Sequence, residues 1–327
     1  EMQRSLVGSE MCIRDRVSRP LQAYYDILDK QFVQYFNDNG NLPLTVNGHL
    51  MPGKFELPGD VSSQFVSGLL FALPLLKGDS EIIITSPLES ASYVDMTLNC
   101  LAKYGVKIEN VDGAHRHYLV PGKQRFKAQN SKVEGDWSQA AFWTVGGALG
   151  AGITASGVDF ASLQGDKAVV EIMQRMGADI AQNADSVTVN SSTTKATVID
   201  ASNCPDIIPV LTMLAAVSEG TTKIINAGRL RIKECDRLAA MTSELNKMGA
   251  AITEELEGLT ITGKPEGLRG GVEADAWNDH RIAMSLAIAA QCCAEPITLT
   301  GAGSVSKSYP DFWEDYKSVG GKIEVLA

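Results

Sequence analysis

One run of charged residues is the segment of the chain best suited to bind an anion. Residues 229–237 read RLRIKECDR and hold four cations, Arg229, Arg231, Lys233 and Arg237, in a chain whose formal net charge is −10. The run lies between a predicted strand and a predicted helix. Free N–H groups and the positive end of a helix dipole favour anions there, and guanidinium groups match phosphate or carboxylate. The sequence leaves two interpretations open: an anion site, or a solvated run of self-paired charges.

Several other polar residues stand where helices are predicted to begin. Asp279 is a predicted N-cap, and His280 fits a structural histidine. Arg281 lies one residue inside a largely apolar helix, where an unpaired charge is costly, so a carboxylate or an anionic ligand must meet it. Asp206 fits an N-cap as well, and Lys307 is a candidate phosphate or carboxylate ligand in a loop after a strand. A further helix start offers hydroxyls and an amide at Ser62, Ser63 and Gln64.

These residues recur in phase with an internal repeat. A helix-end glycine followed by a strand occurs four times, at intervals of 72, 72 and 71 residues, at Gly105, Gly177, Gly249 and Gly320. Glycine suits such positions because helices commonly end in a left-handed residue. An amphipathic helix precedes each glycine, and more apolar helices begin near Ser62, Ser138, Asp206 and Asp279. A unit of about 72 residues therefore reads strand, helix, strand, helix, strand, strand, which predicts an α/β (α+β) fold.

The first units of this array are expected to be missing. Residues 17–50 resemble half a unit, with a predicted helix over 21–36 and a strand over 45–48. Residues 1–16 fit neither the repeat nor any periodic pattern, and we interpret them as a non-native or disordered leader. The predicted regions are the leader 1–16, an incomplete N-terminal domain over 17–133 and a C-terminal domain over 134–327.

Composition narrows the class of protein. The 327 residues are 44% hydrophobic and 21% charged, which is the balance of a soluble globular protein. No apolar run approaches the roughly 20 residues of a membrane helix, and the net negative charge argues against a nucleic-acid partner. The six cysteines show no CxxC spacing, so a metal site or a disulfide framework is not expected. Reduced thiols and a cytoplasmic location are the plain reading.

Eight motifs occur in a defined order along the chain. They are SRPL from residue 18, GDVSSQF from 59, VEGDWS from 133, QGD from 164, PD from 205, RIKECDR from 231, NDHR from 278 and KSYPD from 307. In this order and content the chain from residue 17 onward resembles the 5-enolpyruvylshikimate-3-phosphate synthase (3-phosphoshikimate 1-carboxyvinyltransferase) family. The resemblance implies an enolpyruvyl transferase fold of two domains, each with three βαβαββ units, and an active site in the cleft.

The resemblance also implies a reaction. It is transfer of the enolpyruvyl group of phosphoenolpyruvate to the 5-hydroxyl of shikimate 3-phosphate, releasing phosphate, by a monomer of the shikimate pathway that needs no metal or organic cofactor. Asp206 would be the base on the hydroxyl and Glu234 the proton donor to carbon. The shikimate phosphate site would comprise Ser62, Ser63, Gln64, Ser90, Tyr93, Asp206 and Lys233. Phosphoenolpyruvate would be held by Arg19, Gln64, Arg237, Arg281 and Lys307.

Two departures from the family pattern qualify this expectation. An N-terminal Lys-Ser…Arg motif and a Gly-Asn-Ala-Gly-Thr loop have no counterpart, so this chain alone is expected to be weakly active or inactive. Arg229 stands where many relatives carry Asn or another small residue. One alternative is the enolpyruvyl transferase that acts on UDP-N-acetylglucosamine, although that enzyme uses a cysteine in a Gly-rich loop and the only cysteine between residues 17 and 133 is Cys100. The other is a non-catalytic homologue or fragment.

Overall fold

The computed structural model of the protein describes residues 21–39 and 41–326, so Arg19 and the predicted leader 1–16 lie outside the described residues. The chain divides into two compact units. The first holds the described residues up to Val133 together with Leu163–Gly165, and the second holds Glu134–Ser162 and the chain from Asp166 onward. Within the described ranges, no helix is both long enough and apolar enough to cross a membrane.

The first unit contains one complete repeat after a short helix and a hairpin. Its elements are α1 (Gln22–Lys30), β1 (Gln34–Asp38), β2 (Asn41–Asn47), β3 (Lys54–Leu57), α2 (Ser63–Ala72), β4 (Ser80–Ile84), α3 (Ala91–Lys103), β5 (Glu109–Asn110) and β6 (His117–Val120). The four strands of the repeat form a sheet in the order β3-β4-β6-β5, in which only β3 and β4 are parallel. Alternate residues of the sheet face the buried core with α2 and α3: Phe55, Leu57, Ile82, Ile84, Tyr118 and Val120.

The helix predicted over 21–36 is wrong in its second half. Helix α1 ends at Lys30, and Phe32 adopts a left-handed conformation with φ 55°. The chain then forms β1, which pairs antiparallel with β2. The reason is local: aromatic residues such as Tyr35 favour strands, and the Asn-Gly at 39–40 is a strong hairpin signal.

The second unit continues the repeat. Its helices and strands are α4 (Trp137–Leu149), β7 (Ile153–Ser156), α5 (Ala168–Arg175), β8 (Ile180–Gln182), β9 (Ser186–Val189), β10 (Val198–Asp200), α6 (Ile208–Ala216), β11 (Thr221–Ile225), α7 (Arg237–Lys247), β12 (Ala251–Glu255), β13 (Gly258–Thr262), β14 (Leu268–Gly270), β15 (Glu273–Asp275), α8 (His280–Ala290), β16 (Cys293–Glu295), β17 (Thr298–Thr300) and α9 (Phe312–Ser318). The sheets have the orders β7-β9-β8 and β10-β11-β13-β12, with two further parallel pairs, β14-β16 and β15-β17. The order β10-β11-β13-β12 repeats that of the first unit, which confirms the predicted fold class.

Two kinds of helix build this unit, as the sequence predicts. Helices α4, α6 and α8 are buried nearly all round and contact one another. Such helices need apolar residues on every face, which explains their composition. Helices α5, α7 and α9 are amphipathic and bury one face, and each ends before one of the repeat glycines. Together with Gly105, all four of these glycines have positive φ, between 82° and 104°.

Candidate functional site

The repeat places most of the predicted site residues at equivalent positions. They follow the carboxyl ends of parallel strand pairs, which are β3 with β4, β10 with β11, and β15 with β17. Ligands of α/β sheets commonly bind at this edge, where loops and helix starts present free N–H groups. After β3 and β4 come Ser62, Ser63, Gln64, Ser90 and Tyr93; after β10 and β11 come Asp206, Lys233, Glu234 and Arg237; and after β15 and β17 come Arg281 and Lys307.

In the first unit two helix starts are held side by side. Ser62 caps α2 by accepting a hydrogen bond from the Gln64 backbone N–H at 3.3 Å. Ser90 precedes α3 in a left-handed conformation, φ 52°, and is buried. Gly59 permits the close approach, because a Cβ there would lie 2.8 Å from the carbonyl oxygen of Pro87 and from the Leu88 Cα. The hydroxyls and the amide therefore sit on adjacent loops of one sheet edge.

In the second unit Arg237 is the centre of an ionic cluster. Its side chain is 1% exposed, and every guanidinium nitrogen has a carboxylate partner. Nε donates to Asp279 Oδ2 at 2.8 Å, Nη1 to Asp206 Oδ1 at 2.9 Å, and Nη2 to Glu234 Oε2 at 2.8 Å. Burial alone would lower the pKa of Arg237, but Asp279, Asp206 and Glu234 raise it above its ordinary value. The guanidinium thus fixes three acids from three loops.

Asp206 is contacted by cations from three places in the unit. Besides Arg237, Lys233 Nζ lies 3.8 Å from its Oδ1 and Arg281 Nη2 lies 3.5 Å from its Oδ2. Burial would raise the pKa of Asp206, but Arg281, Lys233 and Arg237 together hold it well below the usual range. Asp206 lies inside a short 3₁₀ helix, Pro205–Ile207, whose N-cap position is Cys204, and the N-cap position of α6 is Ile207. The N-cap interpretation of Asp206 is therefore wrong, and the residue is an ionised acceptor.

Arg281 has spare hydrogen-bonding capacity despite its burial. Its Nη2 donates to Ser138 Oγ at 2.9 Å, and that hydroxyl donates to Asp136 at 2.6 Å. Its Nε and Nη1 have no acceptor among the described residues, and with only 7% of the side chain exposed, water has little access to them. A buried donor without an acceptor is costly, and a charged donor is costlier. An oxyanion beside Arg281 would remove this cost.

Asp279 and His280 complete the cluster. Asp279 is fully buried and caps α8 by accepting from the Arg281 backbone N–H at 2.7 Å, which confirms the predicted N-cap. Burial would raise the pKa of Asp279, but Arg237 lowers it below its ordinary value. Burial and the nearby Arg281 lower the pKa of His280 to about 4. His280 is therefore a neutral imidazole at pH 7.

Lys307 lies at the end of a 3₁₀ helix rather than in an irregular loop, and its Nζ donates to the Asn278 carbonyl oxygen at 2.6 Å. Asn278 immediately precedes Asp279, so Lys307 is tied to the segment that positions Arg281. The three cations Arg237, Arg281 and Lys307 are thus connected through Asp206 and residues 278–279. This is the convergence that an anion site requires.

Arg231 does not belong to this cluster. Its Nη1 donates to Asp236 and Glu254 at 2.9 and 2.6 Å, and its other nitrogens donate to carbonyl oxygens of the β12–β13 hairpin. For this cation the self-paired interpretation of the charged run is correct. The run therefore serves two purposes, because Arg231 fastens it to the hairpin while Lys233 and Arg237 face Asp206.

Sequence reasoning missed three residues at this site. Asp279 accepts a hydrogen bond from the Arg237 guanidinium in addition to capping α8, Ser138 accepts one from Arg281, and the Asn278 carbonyl oxygen accepts one from Lys307. Asp279 and Asn278 are part of the NDHR motif, which was a usable signal. Nothing in the local sequence around Ser138 indicates its partner, because Arg281 is 143 residues away.

Comparison with known proteins identifies the family of this chain. A model of the family described as EPSP synthase (3-phosphoshikimate 1-carboxyvinyltransferase) matches residues 15–316. The 3-phosphoshikimate 1-carboxyvinyltransferase of Clostridium kluyveri is 54% identical over 308 residues, which cover 94% of this chain and 71% of that protein. The chain belongs to the EPSP synthase family. The family is one of transferases, and the relative of the same name from Clostridium novyi is 51% identical over 94% of this chain and 70% of its own length.

Two solved structures share the fold of this chain. The EPSP synthase of Acinetobacter baumannii superposes with a TM-score of 0.80 at 28% identity, over 95% of this chain and 73% of that one. The enolpyruvyl transferase NikO of Streptomyces tendae has a TM-score of 0.77 at 20% identity, over 94% of this chain and 72% of its own, and shows the fold alone. Both comparisons support the enolpyruvyl transferase fold.

Proposed function

We propose that this chain binds phosphoenolpyruvate and shikimate 3-phosphate and transfers the enolpyruvyl group to the 5-hydroxyl of the acceptor, releasing phosphate. The observation that carries the proposal is the cluster around Asp206, where Arg237, Arg281 and Lys233 meet one carboxylate. The two substrates bring two phosphates and two carboxylates, and separate cations on different loops suit them. The substrates are small molecules, and we propose a monomeric, cytoplasmic protein.

Arg281 and Lys307 are the proposed phosphoenolpyruvate ligands for which the geometry offers most support. Arg281 has two buried nitrogens without an acceptor in the described part of the chain. Lys307 donates a hydrogen bond to the Asn278 carbonyl oxygen, just before helix α8 begins. Arg237 is a third ligand by family resemblance, and its side chain lies against the same Asp206 carboxylate. The proposed donor site is therefore a group of cations held in place by buried acids.

The acceptor is proposed to bind through hydroxyls, an amide and Lys233. Ser62, Ser63 and Gln64 form the start of α2, where free N–H groups and the helix dipole favour a phosphate. Ser90 and Tyr93 form the start of α3 on the adjacent loop. These donors are neutral, and Lys233 joins them in this proposal by family resemblance alone.

Asp206 and Glu234 are proposed to move the protons. Asp206 takes the proton from the 5-hydroxyl as that oxygen attacks the substituted carbon of phosphoenolpyruvate, and Glu234 delivers a proton to the methylene carbon. The resulting tetrahedral adduct then loses phosphate, as the methyl group returns a proton and the double bond re-forms. Asp206 is in the ionised form that can accept a proton, because Arg281, Lys233 and Arg237 hold its pKa low. The fixed Arg237 contacts hold both acids in orientation.

Titration calorimetry of the 327-residue chain tests the proposal. We expect shikimate 3-phosphate to bind, and phosphoenolpyruvate to bind in its presence. Arg281→Gln should weaken phosphoenolpyruvate binding at least ~10-fold, because it removes a buried charge-assisted donor. Arg175→Gln, which changes an exposed arginine on α5 of the same unit, should leave it unchanged.

The other two candidate functions give different results in the same experiment. Binding of UDP-N-acetylglucosamine in place of shikimate 3-phosphate would favour the UDP-sugar transferase. Absence of binding by all three compounds would leave a non-catalytic protein. Equal phosphoenolpyruvate affinity in the Arg281 and Arg175 variants would remove Arg281 from the site.

A further inference from the structure

The turn before helix α8 is strained. Two consecutive residues, Trp277 and Asn278, have left-handed backbones with φ 51° and 52°. Asparagine tolerates this conformation, but a bulky side chain such as tryptophan rarely adopts it. A strained turn of this kind persists only where surrounding contacts hold it. The residues that hold it therefore influence whatever the turn positions.

Glu244, on helix α7, supplies those contacts. Its side chain is 1% exposed. Oε1 accepts a hydrogen bond from the Trp277 indole Nε1 at 2.9 Å, and Oε2 accepts one from the Asp275 backbone N–H at 3.0 Å. Lys247, one turn further along α7, donates to both oxygens. One buried carboxylate thus contacts the turn at two residues, Asp275 at its start and the left-handed Trp277.

This turn positions two groups of the proposed site. The Asn278 carbonyl receives Lys307 Nζ, and Asp279 receives Arg237 Nε. Arg237 and Glu244 are seven residues apart, so they lie on one face of α7. Helix α7 therefore holds the turn at two points, of which only the first contacts the ionic cluster directly.

We propose that Glu244 is a positioning residue that keeps the backbones of Trp277 and Asn278 left-handed. In this way Lys307 and the start of α8 are held where they bind phosphoenolpyruvate. The inference rests on the proposed function for its ligand. Glu244 touches no substrate in this proposal. It acts through the backbone of residues 275–279.

Rescue of a substitution separates positioning from a general loss of stability. Glu244→Gln leaves one oxygen for two N–H donors and should weaken phosphoenolpyruvate binding about tenfold, equivalent to ~1.4 kcal/mol. Trp277→Gly makes the left-handed turn accessible without help, because glycine adopts positive φ freely. The double variant Glu244→Gln/Trp277→Gly should therefore bind within about threefold of the unchanged chain. Lys247→Gln removes the ammonium partner of Glu244 but leaves its two contacts with the turn, so it is the matched control and should bind as the unchanged chain does.

A second measurement needs no ligand. Hydrogen exchange of the Trp277 indole N–H and the Asp275 backbone N–H, measured by NMR, should be slow in the unchanged chain. Glu244→Gln should raise the exchange rate of at least one of these two groups about tenfold. Unchanged affinity in Glu244→Gln, or a double variant as weak as Glu244→Gln, overturns the proposal. If the unchanged chain binds no phosphoenolpyruvate, the proposed function fails instead, and N–H exchange alone decides the role of Glu244: unaltered exchange refutes it.

Discussion

Replacing Arg237 by methionine should destabilise the second unit more than any other single change in the ionic cluster. Methionine keeps much of the side-chain volume but leaves three carboxylates without their shared cation. Without Arg237, the fully buried Asp279 is left with the Arg281 backbone N–H, the Cys235 thiol at 3.6 Å and a neutral His280. Removing one partner of a buried ion pair costs about 3–5 kcal/mol. We expect Arg237→Met to lower the free energy of unfolding at pH 7 by an amount in that range.

The dependence on pH identifies the cause. In the unchanged chain the pKa of Asp279 is lowered, so its contribution is present above the unfolded pKa and is lost as the pH falls through the folded value. Without Arg237, burial favours the protonated acid, so the destabilisation is present at pH 7 and is relieved toward the unfolded pKa of about 3.9. The deficit should shrink by at least ~1 kcal/mol between pH 7 and pH 4.5.

Urea unfolding followed by tryptophan fluorescence is a suitable assay, because all four tryptophans of the chain lie in the second unit. The double variant Arg237→Met/Asp279→Asn keeps a capping side chain while removing the buried charge, and it should regain about 2 kcal/mol of the loss. A deficit below about 1 kcal/mol, or one that does not change with pH, would refute the assignment of Arg237 as the shared cation of this cluster.

Three further predictions concern the acids, the sheet edge and the buried imidazole. Asp206→Asn and Glu234→Gln, made in this chain joined to the part of the Clostridium kluyveri relative that it does not match, should each lower kcat for phosphate release at least ~10²-fold. Near-normal turnover would reject their roles. Gly59→Ala should lower the free energy of unfolding, measured by circular dichroism, by about 1–3 kcal/mol, because the added Cβ meets backbone atoms at 2.8 Å. Gly303→Ala places its Cβ in open space and should change the same free energy by less than ~0.5 kcal/mol. Equal effects would contradict the packing argument. The folded pKa of His280, about 4, lies below its unfolded value, so its contribution to stability is lost as the pH falls from about 6.5; between pH 7 and pH 5 the unchanged chain should lose about 2 kcal/mol more than His280→Gln, and parallel curves would exclude this origin.

The sequence could predict those parts of the fold that depend on local chemistry. The four helix-end glycines are left-handed because a short-range backbone requirement selects glycine there. The apolar helices α4, α6 and α8 were recognisable because burial on all sides leaves a continuous apolar pattern. The hairpin of β1 and β2 contradicts the helix predicted over 21–36, because Tyr35 and Phe36 favour a strand and the Asn-Gly dipeptide favours a turn.

The sequence could predict which residues belong to the candidate site better than it could predict which residues pair with one another. A run of four cations does not show that Arg231 binds a hairpin that follows it by some 20 residues, while Arg237 meets acids from other loops. Glu244 lies among polar residues of an amphipathic helix, so its burial against Trp277 has no local signature. Such partners are fixed by tertiary packing, which single-sequence patterns do not contain.

The occupation of Arg237 by carboxylates has a consequence for how a ligand enters. Four of its five N–H groups already donate to carboxylates, so a phosphate or carboxylate group of a ligand can bind it through two N–H groups only by exchange. Asp279 is fully buried, whereas Glu234 has access to solvent and is the easier one to displace. Displacement from Arg237 would separate Glu234 from a cation that favours its ionised form. The incoming anion would thereby prime the acid that the next step needs.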